Sequence, residues 1–174
     1  GDGDPIVTDN AYGNNPFWNE TALFKSDSGQ SFNVDVWWKG AHMGEEKADW
    51  IGDKMSFYGA SRIHGSHPKL VHRTEDLERD DAGFIRSKTT TEDYPEVKWY
   101  ETDLLPKPLR HNSGHEGSHT FITHEFIDAI KNGRRPSVDI YEALNYTVPG
   151  IIAHESALRG GEILKIPQFI RPTD

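Results

Sequence analysis

From His115 to Pro167 the chain reads HEGSHTFITHEFIDAIKNGRRPSVDIYEALNYTVPGIIAHESALRGGEILKIP. Ile122, Phe126, Ala129 and Ile130 recur at helical spacing and place one apolar stripe on a helix from Ser118 to Lys131. Ser118 is expected to cap its start, and Asn132-Gly133 to supply a left-handed stop. A second helix opens at Asp139, where Glu142 three residues on makes a capping-box pattern. Its stripe runs Ile140, Leu144, Thr147, Ile151 and Leu158, and Gly160-Gly161 ends it. Pro149 removes one donor and crowds the carbonyl of Asn145, which predicts a kink.

Upstream of the helices the pattern changes to strands. Thr21 to Phe24 and Ser31 to Trp38 flank Ser26-Asp27-Ser28-Gly29, a turn that predicts a hairpin. Phe32, Val34, Val36 and Trp38 share one face, expected to be core; Asn33, Asp35 and Trp37 share the other. Lys54 to Tyr58 and Val97 to Thr102 are further candidate strands. Residues 61–83 are polar with alternating charges and suggest a surface excursion, and Leu104 to Arg110, holding Pro106 and Pro108, an extended connector. Residues 1–19 are rich in Gly, Asp, Asn and Pro and predict an extended segment ahead of a single domain. Strands first and helices last predict an α+β fold, an open, largely antiparallel sheet with the two C-terminal helices on one face.

Composition narrows the classes of function. Aromatic residues make up 11% of the chain, with five Trp, which argues against disorder because such side chains need covering. A net charge of −9, with no basic run longer than Arg134-Arg135, disfavours nucleic acid as a partner. No apolar run has the ~20 residues that a membrane span requires. Absence of cysteine removes disulfides and thiolate metal sites without fixing the compartment, cytoplasmic or periplasmic. Opening on Gly1 rather than Met, the chain is expected to be a piece of something longer.

Nine histidines are many for 174 residues, and His111, His115, His119 and His124 cluster around the first helix start. His115, Glu116 and His119 are candidate substrate-binding residues, because free N–H groups at a helix start suit a hydroxyl-rich or anionic ligand. The blander reading of the same residues is capping and loop hydrogen bonding. A His111/His115/His119 metal set has helical spacing, but Ser113, Gly114 and Gly117 mark the stretch as loop. His64 and His67 fit a turn, and His154 a hydrogen-bonded core position. Glu45-Glu46 and Asp80-Asp81 fit solvated loops better than the paired acids of glycoside hydrolysis. Trp37 and Trp38 are candidate interface residues.

The order Phe126-x-x-Ala129-Ile130-x-x-Gly133-x-x-Pro136, then Ala153-x-x-Ser156-Ala157-x-x-Gly160, resembles the closing segment of the Gfo/Idh/MocA oxidoreductases. Val36-Trp37-Trp38-Lys39-Gly40 and Gly52 to Phe57 resemble strands of one subgroup more loosely. The resemblance implies the second, substrate-side domain of an NAD- or NADP-dependent enzyme acting on a sugar or polyol, and homo-oligomers formed through the sheet. One branch of that family cleaves glycosidic bonds through a nicotinamide cycle, and a stand-alone binding or dimerisation module is a third reading. The family's glycine-rich dinucleotide turn, its Glu-Lys-Pro lysine and its Asp-x-x-x-His pair have no counterpart here, Lys107-Pro108 being the nearest Lys-Pro. No catalytic residue, metal or cofactor site is therefore assigned to this chain.

Overall fold

In a computed structural model, residues 15–17, 19–37, 40–41, 44, 46–61 and 68–172 are described, with side chains at all but 76–78, 85–88 and 116. The element order is β1 (Asn19–Lys25), β2 (Ser31–Trp37), β3 (Asp49–Ile51), β4 (Met55–Tyr58), β5 (Leu70–Arg79), β6 (Ile85–Asp93), α1 (Ser118–Lys131) and α2 (Ile140–Leu158). Among the described residues every strand pairing is antiparallel, and the two helices follow the strands, so the class is α+β. The strands divide over two sheets, β1-β2 and β3-β4-β5-β6, where one open sheet was expected. The chain forms two compact units, residues 1–41 with 122–174 and residues 42–121.

In the first unit the predicted hairpin forms, its register running from Asn19 opposite Trp37 to Lys25 opposite Ser31. Gly29 takes φ 93 in the turn, a conformation that suits a residue without Cβ. Phe24 and Phe32 stack across the strands with centroids 4.9 Å apart. Opposite residues share a face, so Phe32, Val34 and Val36 lie with Glu20, Ala22 and Phe24 on the face that meets α2. That face is not the closed core the alternation suggested. α2 packs on β1, and Phe32, Val34 and Val36 remain 53%, 45% and 40% exposed. Trp37 lies on the opposite face and is exposed; Trp38 falls outside the described residues.

α1 spans the predicted residues and stops at Gly133, φ 58. Its periodicity is right, but only Ala129 of the stripe is buried, while Ile122, Phe126 and Ile130 stay exposed. The Gly-Arg-Arg-Pro turn is held by Arg134, whose guanidinium donates to Glu125 at 2.7 and 2.8 Å and to Asp128 at 2.6 and 3.1 Å. Ser137 also donates to Glu125, and these bonds pull the Glu125 carboxyl down to about 2, the Arg134 bond contributing most.

Asp139 caps α2 as predicted, Oδ1 accepting from the N–H groups of Tyr141 and Glu142 at 3.1 Å. Those backbone bonds, Glu142's first, and Arg171 hold its carboxyl below its ordinary value. Glu142 departs from the capping box: its carboxylate accepts from the Tyr146 hydroxyl. α2 continues through Pro149 without a break. Beyond Gly160-Gly161 the tail runs back along the helix. Ser156 Oγ donates to the Glu162 carbonyl at 2.6 Å, Asn145 pairs both backbone groups of Phe169 at 3.1 and 3.2 Å, and Arg171 reaches Asp139.

The second unit corrects three expectations. The polar stretch expected as an excursion contains β5, a ten-residue strand. Its strand character was hidden because its residues are mostly polar; among its described side chains Val71 is the buried apolar one, and polar cross-strand pairs flank it. His72 Nδ1 meets Thr91 Oγ1 at 2.7 Å, and Arg73 Nε donates to Glu92 at 2.9 Å. Val97 to Thr102 is a series of turns rather than a strand, Glu101 N–H donating to the Lys98 carbonyl at 3.0 Å. Lys107–Leu109 is a 3-10 turn, where Pro106 and Pro108 supply the φ values such a turn needs, so the connector is not extended. Leu105 there is the most buried apolar side chain described, and Arg110 holds its carbonyl at 2.8 Å.

Candidate functional site

The histidine-rich start of α1 forms a tight structure between Ser113 and Thr120. A 3-10 turn, His115–Gly117, precedes the helix, and Ser118 already has helical backbone angles. Ser118 is therefore not the cap. That role falls to Ser113, whose Oγ accepts from the Thr120 N–H at 2.9 Å and donates to the Gly117 carbonyl at 3.4 Å. The N–H groups of Gly117 and Ser118 close onto Gly114 and His115 carbonyls. Backbone donors expected to greet a ligand are thus largely taken up inside the turn, and recognition passes to side chains.

Two glycines make room for two rings. Gly114 has φ 96, and a Cβ there would stand 3.1 Å from His119 Nδ1. Gly117 has φ 93, and a Cβ there would collide with the Tyr100 ring and lie 3.0 Å from Tyr100 Cβ. Among the described residues His115 is the one non-glycine with positive φ, 41°, a conformation histidine tolerates better than most. Its ring lies 4.8 Å from that of His119, tilted by 50°, and its Nδ1 stands 4.0 Å from Glu46 Oε2.

The sequence-predicted pair His115 and His119 is thereby brought together, and Glu116 sits between them in the turn, its side chain outside the description. Glu46 and Tyr100 were missed as neighbours; nothing in their spacing, about seventy and about fifteen residues upstream, marks them. Two imidazoles and a carboxylate at an exposed turn can donate to and accept from hydroxyl groups. Among the described residues no group of three or more His, Asp or Glu is arranged to hold a metal ion.

The other candidates separate from this site. Asp80 is a turn residue, its Oδ1 accepting from Ala82 and Phe84 N–H groups at 3.1 and 2.9 Å. His154 has the expected hydrogen-bonded place, its Nδ1 2.8 Å from Glu20 and its ring edge-on to Phe17. His64, His67 and Glu45 fall outside the described residues.

Residues 80–173 match the family model described as glycosyl hydrolase 109, C-terminal domain. The chain belongs to that family. Glycosyl hydrolase 109 C-terminal domains are part of the Gfo/Idh/MocA-like NAD-dependent family, so the resemblance read from the two helix motifs holds. A glycosyl hydrolase family 109 protein of Solibacter usitatus (strain Ellin6076) is 29% identical over 117 residues, 65% of this chain and 24% of its own length. An alpha-N-acetylgalactosaminidase of Tannerella forsythia is 30% identical over 78 residues, 45% of this chain and 16% of its own length. The chain therefore spans a quarter or less of these relatives. No solved structure matches it.

A nicotinamide dinucleotide does not fit the described residues of this glycosyl hydrolase 109 domain. Its site needs a parallel β-α-β unit with a glycine turn open to phosphate. Here the pairings are all antiparallel, and the spaces left by Gly114 and Gly117 are filled by His119 and Tyr100.

Proposed function

We propose that this chain is the substrate-side domain of a nicotinamide-dependent glycoside hydrolase, with the His115/His119 turn as part of the sugar-binding wall. The membership in the glycosyl hydrolase 109 C-terminal family carries the reading. It favours glycoside cleavage over oxidation of a free sugar or polyol, which the motifs alone had put first. One relative's name, alpha-N-acetylgalactosaminidase, makes an N-acetylated hexosaminide the first substrate class to test. NAD or NADP is held elsewhere than on these residues, so this domain binds and orients the glycoside and takes no redox step. His115 and His119 hydrogen-bond its hydroxyl groups, with Glu46 beside His115. A second role is assembly, the domain joining copies of the protein.

The test pairs two assays. The 174-residue chain is titrated with NAD by calorimetry, where no micromolar binding is expected. A polypeptide carrying this domain together with a dinucleotide domain is given NAD and aryl N-acetyl-α-galactosaminide, against free sugars. Glycoside cleavage, weakened at least about tenfold in kcat/KM by His119→Ala, supports the reading. Turnover of free sugars with no cleavage of any glycoside overturns it.

A further inference from the structure

Trp37 ends β2 on the hairpin face turned away from α2, and it is 58% exposed. Two residues back on the same face is Asp35, whose carboxylate is already ordered. Thr21, opposite it on β1, donates its hydroxyl to Oδ1 at 2.7 Å, and the Asn33 amide donates to Oδ2 at 2.9 Å. Each carboxylate oxygen keeps a further lone-pair direction, and the Asn33 side-chain oxygen is an acceptor as well. Same-face neighbours on a strand lie about 6.7 Å apart and paired strands about 4.8 Å apart, so indole and polar cluster share one small patch. The other face steadies it: Phe24 stacks on Phe32, and Glu20 bonds His154 of α2.

We infer that this patch is a subsite for one neutral pyranose ring of a glycan, stacked on Trp37 with its hydroxyl groups bonded to Asp35, Asn33 and Thr21. A pyranose presents C–H groups on one face and hydroxyls around its rim. The C–H face is slightly positive and suits the negative π face of an indole. Adjacent hydroxyls suit planar carboxylate and amide groups, which accept from and donate to them in one plane. Asp35 also sets the charge of the ligand. A sugar carboxylate would be repelled there, and the lysine of this face, Lys25, stands two cross-strand pairs away at the turn.

A protein partner fits this face less well. It would strip water from Asp35 in the middle of an interface, where unpaired charge is costly and charged side chains are depleted. Sugar hydroxyls replace that water bond for bond. The inference goes beyond glycoside cleavage: it uses residues of the first unit, none of them in the His115/His119 turn, and it needs no nicotinamide.

The test titrates the isotope-labelled 174-residue chain with methyl glycosides of glucose, galactose and N-acetylgalactosamine, followed by NMR. At least one should bind with a Kd of about 1 mM, shifting the Trp37 indole N–H and the Asn33 side-chain amide. Trp37→Ala should weaken that binding at least about tenfold. Trp50→Ala, which removes an exposed indole from the other sheet, should leave it unchanged. The uronate counterpart of the bound sugar should bind about tenfold more weakly, and Asp35→Asn should narrow that gap, which a merely structural role would not do. No shift at Trp37 with any of the three glycosides overturns the inference, as do equal shifts at Trp50. Trp37 shifts that follow protein concentration and resist sugar mark a second copy on this face and overturn it too. Glycoside cleavage by the longer polypeptide without binding here removes the subsite alone, whereas binding here without cleavage supports the subsite and removes the cleavage reading.

Discussion

Glu20 and His154 lie 134 positions apart and meet at 2.8 Å, joining the first strand to the last helix. Both side chains are about two-thirds covered, and Phe17 closes one edge of the imidazole. The bond ties the early hairpin to α2 where few apolar contacts do so. Glu20→Ala should lower stability by about 1 kcal/mol, the net value of such a bond, and Glu20→Gln by less. Urea unfolding followed by fluorescence would measure both.

Gly117 should be intolerant of substitution. Its φ of 93 is costly for any residue with Cβ, and Tyr100 occupies the space that Cβ would need. Gly117→Ala should cost about 2 kcal/mol or more from both causes together. It should also separate the His115 and His119 rings, visible as changed imidazole NMR shifts. Gly133→Ala provides a contrast, since only its φ of 58 opposes it and nothing stands within 4 Å.

Acid should loosen the turn between the helices. Glu125 has its carboxyl lowered from 4.5 to about 2 by Arg134, so its ionised form is favoured by the fold. Stability from this group is complete above pH ~4.5 and is lost as pH falls through that value toward ~2. Glu125→Gln should therefore flatten the acid limb of the unfolding profile over this window and leave its shape near pH 7 unchanged. Thermal melts at half-unit pH steps would show it.

Asp139 serves two partners, the helix start and Arg171. Asp139→Ala should lower Tm by about 5 °C through loss of the cap. It should also speed amide exchange in residues 163–171, whereas Arg171→Ala should speed that exchange with a smaller change in Tm. Hydrogen exchange with mass spectrometry separates the two.

Elements with local chemical punctuation were legible from the chain alone. α1 and α2 follow from their stripes, Asp139 and Gly133, and the β1-β2 hairpin from Ser26 to Gly29. β5 was not legible, because Arg73–Glu92 and His72–Thr91 hold it where an apolar alternation would have announced a strand. Val97 to Thr102 misled for the opposite reason: its β-favouring residues serve local turns, and Tyr100 is fixed by Gly117 rather than by a strand neighbour. At the candidate site, His115 and His119 could be named from their crowding. Glu46 could not, being about seventy residues from His115, and Ser113 could not, because the 3-10 turn His115–Gly117 stands between it and the helix it caps.

The returning tail places Arg171 beside Asp139, at the opposite end of the helix from Leu158. A reporter or affinity label joined after this point would hang near the entrance of that helix, not its exit. Shortening the chain to Gly161 would strip Asn145 and Asp139 of partners at once, so a trimmed version should melt from its last helix inward.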